Sequence, residues 1–145
     1  IVNAQLAKLP TINKQRAKVA DFFTSALSFR PRLPCKGSRN PFMTLPSVPK
    51  GSKPNWHIYA LRFDTGEHAD IFLQQMRAAG IEVSRHYVPL HSAPAGKKFG
   101  KNSGKLPVTD RVYDTLIRLP IYPGMKKKEL AYITSIAQKI LRSLV

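Results

Sequence analysis

A chain of 145 residues with 43% hydrophobic side chains is long enough for one domain with a modest core and too apolar for a disordered tail. Its 24 lysines and arginines outnumber 8 aspartates and glutamates for a net charge of +16, a balance that attracts polyanions: nucleic acid, an acidic membrane surface, phosphorylated substrates or an acidic partner domain. No apolar run approaches the ~20 residues of a membrane-crossing helix, no signal-peptide pattern opens the chain, and the single cysteine, Cys35, excludes an internal disulfide. A reduced, intracellular setting is the default expectation. The chain opens on Ile1 in the character of a helix already under way, as a piece of a longer protein would.

Residues 2–28 place Leu6, Leu9, Ile12, Val19, Phe23 and Leu27 at helical spacing. They predict an amphipathic helix, kinked or broken at Pro10, because proline removes a backbone donor and crowds the preceding turn. Residues 30–54 hold six prolines and six basic residues among scattered large apolar ones, which predicts an extended, partly ordered segment lying over a surface. "WHIYALRF" (56–63) has the aromatic and aliphatic density of a strand. "GEHADIFLQQMRAAG" (66–80) puts Ala69, Phe72, Leu73 and Met76 on one helical face and stops at Gly80. "IEVSRHYV" (81–88) alternates apolar and polar positions and predicts a second strand. A loop follows, then a short helix around 107–116 and an apolar strand "LIRLPIY" (116–122) ended by Pro123 and Gly124. The closing helix, 126–144, carries an apolar stripe through Leu130, Ile133, Ala137, Ile140 and Leu141. Together these make a three-stranded sheet with helices packed against it, an α+β or open α/β domain.

The chemistry concentrates in "SRHYVPLHSAPAGKKFG" (84–100). As a metal site it is poor. His86 and His91 are five apart with Pro89 between them, His57 joins only if the strands are neighbours, and zinc wants three or four ligands at recognisable spacing. Ser84, Ser92 and Ser103 lie near histidines, but no glycine-framed nucleophile turn appears. Paired carboxylates are missing, since no acid lies between Glu82 and Asp110. Phosphate suits the residues better: Arg85, His86, Tyr87 and His91 all offer donors, and Lys97, Lys98, Lys101 and Lys105 add positive potential. Two other readings stay open on the residues alone. His86 and Tyr87 are half-buried strand residues with satisfied hydrogen bonds, or the chain is a basic nucleic-acid-binding module with Trp56, Tyr87, Phe99 and Tyr113 for stacking. No named nucleic-acid signature occurs.

"RHYVPLHSAPAGKKFG", followed by "RLPIYP" at 118–123, resembles the C-terminal part of the pyridoxal-phosphate sugar aminotransferases of the DegT/DnrJ/EryC1/StrS group, and within it the dTDP-4-amino-4,6-dideoxygalactose transaminases. "AQLAKLPTINKQRAKVADFFTSAL", "LPSVPKGSKPN" and "NWHIYALRF" agree with it, so the resemblance spans nearly the whole chain; "HYVPLHSAPAG" is its specific part. The fold it implies is α+β, the small C-terminal domain of a type I, aspartate aminotransferase-like transferase. Residues 1–29 would be a connecting helix from a large domain that this chain lacks, and residues 30–145 the small domain covering the site.

The activity it implies is conversion of a dTDP-4-keto-6-deoxy sugar to the 4-amino sugar in a cytoplasmic homodimer. Pyridoxal 5'-phosphate is the cofactor and glutamate the expected amino donor. By resemblance His86 and Tyr87 fall on the family's His-Tyr pair beside the sugar nucleotide, His91 on its second histidine, and His57 on a histidine near the same pocket. Arg85 matches no family position, so diphosphate binding by it would be this chain's own feature. Pro10 and the high lysine content also depart from the pattern. None of the 14 lysines sits in a stretch matching the cofactor-lysine segment. No catalytic residue and no metal ligand is therefore expected here, and the isolated chain is expected to hold no cofactor and to be inactive. The remaining rival is the autonomous nucleic-acid-binding module.

Overall fold

Alternation of apolar residues builds the sheet. In the computed structural model, which describes residues 2–28, 42–101 and 104–144, strand β2 (Tyr59–Phe63) buries Tyr59, Leu61 and Phe63 and turns Ala60 and Arg62 to the other face. Strand β4 (Leu116–Leu119) likewise buries Ile117 and Leu119. With β1 (Met43–Thr44) and β3 (Ser84–Arg85) they form one antiparallel sheet in the order β1-β2-β4-β3. Tyr59 faces Leu119, Leu61 faces Ile117, and Ser84 faces Arg118. β4 therefore lies between β2 and β3 although it is last in sequence.

The helices are α1 (Val2–Leu27), α2 (Gly66–Ala78), α3 (Pro94–Phe99), α4 (Pro107–Thr115) and α5 (Lys127–Ser143). α1, α2 and α5 bury Phe23, Leu27, Phe72, Met76, Ala137 and Leu141 in one core with the inward strand residues. The rings of Phe63 and Phe72 lie 5.0 Å apart, and those of Phe23 and Tyr59 lie 5.3 Å apart, in tilted packing that adds to area burial. α2 begins where Thr65 Oγ1 accepts from the His68 backbone N–H at 3.1 Å, and it ends before Gly80, whose φ of +73° only glycine adopts without strain. At the start of α5, Glu129 reaches back to accept from the Lys126 backbone N–H at 2.6 Å. This is an α+β domain. No helix of the described residues is long and apolar enough to cross a membrane.

Several expectations need correction. Pro10 does not end the first helix: α1 runs through it. The carbonyl that Pro10 leaves without a donor belongs to Leu6, and both residues are exposed, so water can serve it. The three expected strands are all shorter than 56–63, 81–88 and 116–122. One residue accounts for much of this. By register Pro120 would face both Ile58 and Glu82, and a proline cannot donate to either ladder. Trp56, with φ of +48°, also departs from strand geometry. The 81–88 alternation survives as burial of Ile81 and Val83 without pairing.

The sheet has four strands rather than three, because Met43 and Thr44 pair with Phe63 and Arg62 at its edge. That edge pair belongs to the segment 30–54, of which residues 30–41 lie outside the described residues. The loop expected after residue 88 contains α3, a helix opened by Pro94, whose fixed φ suits a first helical position.

Candidate functional site

Pairing of β3 with β4 sets Ser84 beside Arg118 on the sheet face turned away from the core. Arg118 Nη2 donates to Ser84 Oγ at 3.0 Å, and its guanidinium lies over the Tyr87 ring, 5.5 Å from the centroid. Among the described residues the enclosed Arg118 Nε meets no acceptor. The Tyr87 ring in turn lies 4.9 Å from the His86 imidazole, tilted by 56°. His86 and Tyr87 are not the half-buried strand residues that one reading expected. Both are exposed, Tyr87 to 76%, because pairing stops at Arg85.

Arg118 and Ser84 also line a cleft of about 320 Å³ with His57, Glu82 and Tyr122. His57 donates from Nδ1 to Asn55 Oδ1 at 2.7 Å, which orients the exposed imidazole at the rim. The Tyr122 phenol is held above its ordinary value by partial desolvation first and by the Glu129 carboxylate second, so at neutral pH it is a hydroxyl donor. The fold thus joins His57, His86 and Tyr87 through Arg118, a residue that motif reading passed over. The available signal was local: Arg118 is the polar position in an otherwise apolar strand, inside the quoted "RLPIYP" itself.

Arg85 and His91 go elsewhere. Arg85 donates from Nη2 to Asp70 Oδ1 at 2.6 Å and from Nη1 to the Tyr113 carbonyl at 3.1 Å and to the Asp114 carbonyl. It thereby ties β3 to α2 and to the end of α4, in a recess of about 830 Å³ that collects Asp64, Glu67, Asp70, Asp110 and Asp114, five of the chain's eight acids. His91, half-buried, donates from Nε2 to Asp110 Oδ1 at 2.8 Å and borders a further recess with Leu90, Lys97, Phe99 and Lys101. Among the described residues no three of His, Cys, Asp and Glu come together to hold a metal ion. Every described lysine is exposed, and none lines the Arg118 cleft.

Comparison with known proteins gives a consistent result. Residues 1–138 match the DegT/DnrJ/EryC1/StrS aminotransferase family. An uncharacterised protein of Methanocaldococcus jannaschii is 27% identical over 141 residues, which is 94% of this chain and 34% of that relative. The dTDP-3-amino-3,6-dideoxy-alpha-D-galactopyranose transaminase of Aneurinibacillus thermoaerophilus is 24% identical over 131 residues, 90% of this chain and 32% of the relative. Among solved structures, S. venezuelae DesV in complex with a ketimine intermediate superimposes with a TM-score of 0.79 at 24% identity, over 96% of this chain and 34% of that one. The chain therefore spans about a third of the length of the relatives it matches.

Proposed function

The chain belongs to the DegT/DnrJ/EryC1/StrS aminotransferase family, and from that membership we propose that it is the C-terminal portion of a pyridoxal-phosphate-dependent nucleotide-sugar aminotransferase that converts a dTDP-4-keto-6-deoxy sugar to the 4-amino sugar. In this reading residues 1–29 connect from a large domain and residues 30–145 form the small domain over the site. The whole enzyme is a cytoplasmic homodimer that takes its amino group from glutamate. Bound pyridoxal phosphate supplies the electron sink of transamination.

The described residues do not themselves fit that cofactor. Holding its aldehyde needs a lysine desolvated or otherwise lowered in pKa, and every described lysine is exposed. In this reading the chain alone holds no cofactor and does not transaminate.

What this chain contributes is the substrate side. The observation that carries the reading is the exposed His86–Tyr87 pair, standing over Arg118 on the open face of the sheet. It offers aromatic surface for a sugar or base and hydrogen-bond donors for hydroxyl or phosphate oxygens. His57 adds an imidazole at the adjoining cleft. Arg85 and His91 serve the same substrate only by leaving Asp70 and Asp110, their present partners.

The test is the full-length protein supplied with a dTDP-4-keto-6-deoxy sugar, the amino sugar being identified by NMR. A 4-amino product is expected. Turnover of the 3-keto isomer alone, to the kind of 3-amino product in the name of the Aneurinibacillus relative, would overturn the assigned position and leave the family standing. Cofactor absorbance on the isolated 145-residue chain would contradict the inactive-fragment part.

A further inference from the structure

His86 and Tyr87, which carry the substrate reading, are held only loosely by the sheet. β3 ends at Arg85, whose pairing with Ile117 is the last in the register. Beyond it both residues are exposed. Among the described residues neither side chain has a hydrogen-bond partner; their rings meet each other, and Tyr87 meets the Arg118 guanidinium. So short a strand frays easily, and the aim of the pair depends on where the chain leaves the sheet.

Arg85 fixes that point from the opposite side. Directly paired residues of antiparallel strands share a face, so Arg85 lies on the side of the buried Ile117, while Ser84 and Arg118 face away from the core. Its side chain, 19% exposed, donates to Asp70 Oδ1 on α2 and to the carbonyls of Tyr113 and Asp114, and its guanidinium lies 5.9 Å from the centroid of the Tyr113 ring. Those carbonyls belong to the last turn of α4, where backbone acceptors lack intrahelical partners and a cation is favoured. A planar guanidinium can span both helices at once. The residue immediately before the pair is thus clamped to three oxygens, none of them on the open face.

We propose that Arg85 is a positioning residue: clamped by Asp70 and the end of α4, it acts through His86 and Tyr87, setting their aim at the nucleotide sugar without touching it. Holding the pair in place before the substrate arrives spares the ordering that binding would otherwise cost. The identity of the substrate rests on the aminotransferase reading; the clamp itself rests on the contacts of Arg85.

The experiment loosens the clamp at its far end, since Asp70 is exposed and can be replaced while Arg85 stays. In the full-length holoenzyme Asp70→Ala is expected to raise the saturation constant for the dTDP-keto sugar about three- to tenfold and to leave that for glutamate within about twofold. If Arg85 instead bound the diphosphate directly, Asp70→Ala would free its guanidinium and the sugar constant would fall. A fall, no change, or an equal rise for both substrates would overturn the proposal. The loss should largely vanish in a His86→Ala, Tyr87→Ala background, where no pair remains to be aimed; an undiminished loss there would also overturn it. A second readout needs no substrate. The ring-proton NMR signals of His86, identified by their absence in His86→Ala, are displaced by the ring current of Tyr87. In folded Asp70→Ala they should move toward the positions of a free imidazole, and unmoved signals would overturn the clamp. Should Asp70→Ala fold poorly, Asp70→Asn, which keeps the shape and loses the charge, is read by the same signs. A full-length protein without transaminase activity would fail the aminotransferase reading, while the NMR signals would still judge the clamp.

Discussion

The hydroxyls of Thr24 on α1 and Tyr59 on β2 lie 2.9 Å apart, a single polar contact set against the core packing of Phe23 on Tyr59. It fixes where the first helix crosses the sheet. Burial raises the Tyr59 phenol above its ordinary 10.0, with the Thr24 hydrogen bond acting more weakly in the other direction. The unfolded chain therefore loses this proton before the folded one does. Stability from Tyr59 is complete below about pH 10 and is lost as pH rises through the higher folded value, at up to about 1.4 kcal/mol per pH unit. Melting temperatures at about pH 9 and about pH 11 should fall less in Tyr59→Phe than in the parent. Equal alkaline losses in both would refute the assignment.

Arg85 bridges three elements, so Arg85→Ala should destabilise the fold. Asp70 is 56% exposed, which screens the ion pair, and the two carbonyl contacts carry the rest; the expected loss is about 1–2 kcal/mol. Arg85→Lys should recover only part of it, because an ammonium cannot span Asp70 and the end of α4 together. Denaturant midpoints give the answer. Unchanged stability joined to weaker sugar binding would instead assign Arg85 to the diphosphate.

His86 and Tyr87 separate binding from folding. Both are exposed, so His86→Ala and Tyr87→Phe should leave stability within about 0.5 kcal/mol of the parent. In the full-length enzyme each should weaken the sugar nucleotide ten- to a hundredfold, about 1.5–3 kcal/mol, and spare the amino donor. Early melting with intact sugar affinity would mean these side chains only hold the strand end in place.

His91 is held differently, by Asp110 on α4. Its substitution by alanine should cost stability as well as any sugar affinity. A double-mutant cycle with Asp110→Asn should show a coupling of about 0.2–1 kcal/mol, small because Asp110 is half exposed. No coupling would mean that the contact contributes nothing to stability.

The rival basic-module reading is tested by fluorescence anisotropy with labelled DNA and RNA across a salt series. A +16 chain should bind weakly, with Kd of about 1–100 µM, and lose affinity steeply with salt. Tight, sequence-selective binding that survives physiological salt would favour the rival.

By itself the sequence determined the helices α2 and α5, and the strand character of residues 59–63 and 116–119. Those signals are periodicities and caps, carried by residues within a turn or two of each other. It also determined the family, through a motif whose residues are contiguous. The strand ends are a mixed case: Pro120 was visible, but its effect on residues 58 and 82 depends on which strands pair, a fact that no local pattern carries. The site divides in the same way. His86 and Tyr87 were legible as a motif, but Arg118 meets Ser84 from 34 residues away and Arg85 meets Asp70 from 15. Tertiary structure alone decided that Arg85 is held by carboxylate and carbonyl oxygens while Arg118 stands in an open cleft. Both are arginines on short strands of a basic chain. What separates their chemistry is which distant oxygens the strand register and the placing of α2 and α4 bring within hydrogen-bond reach.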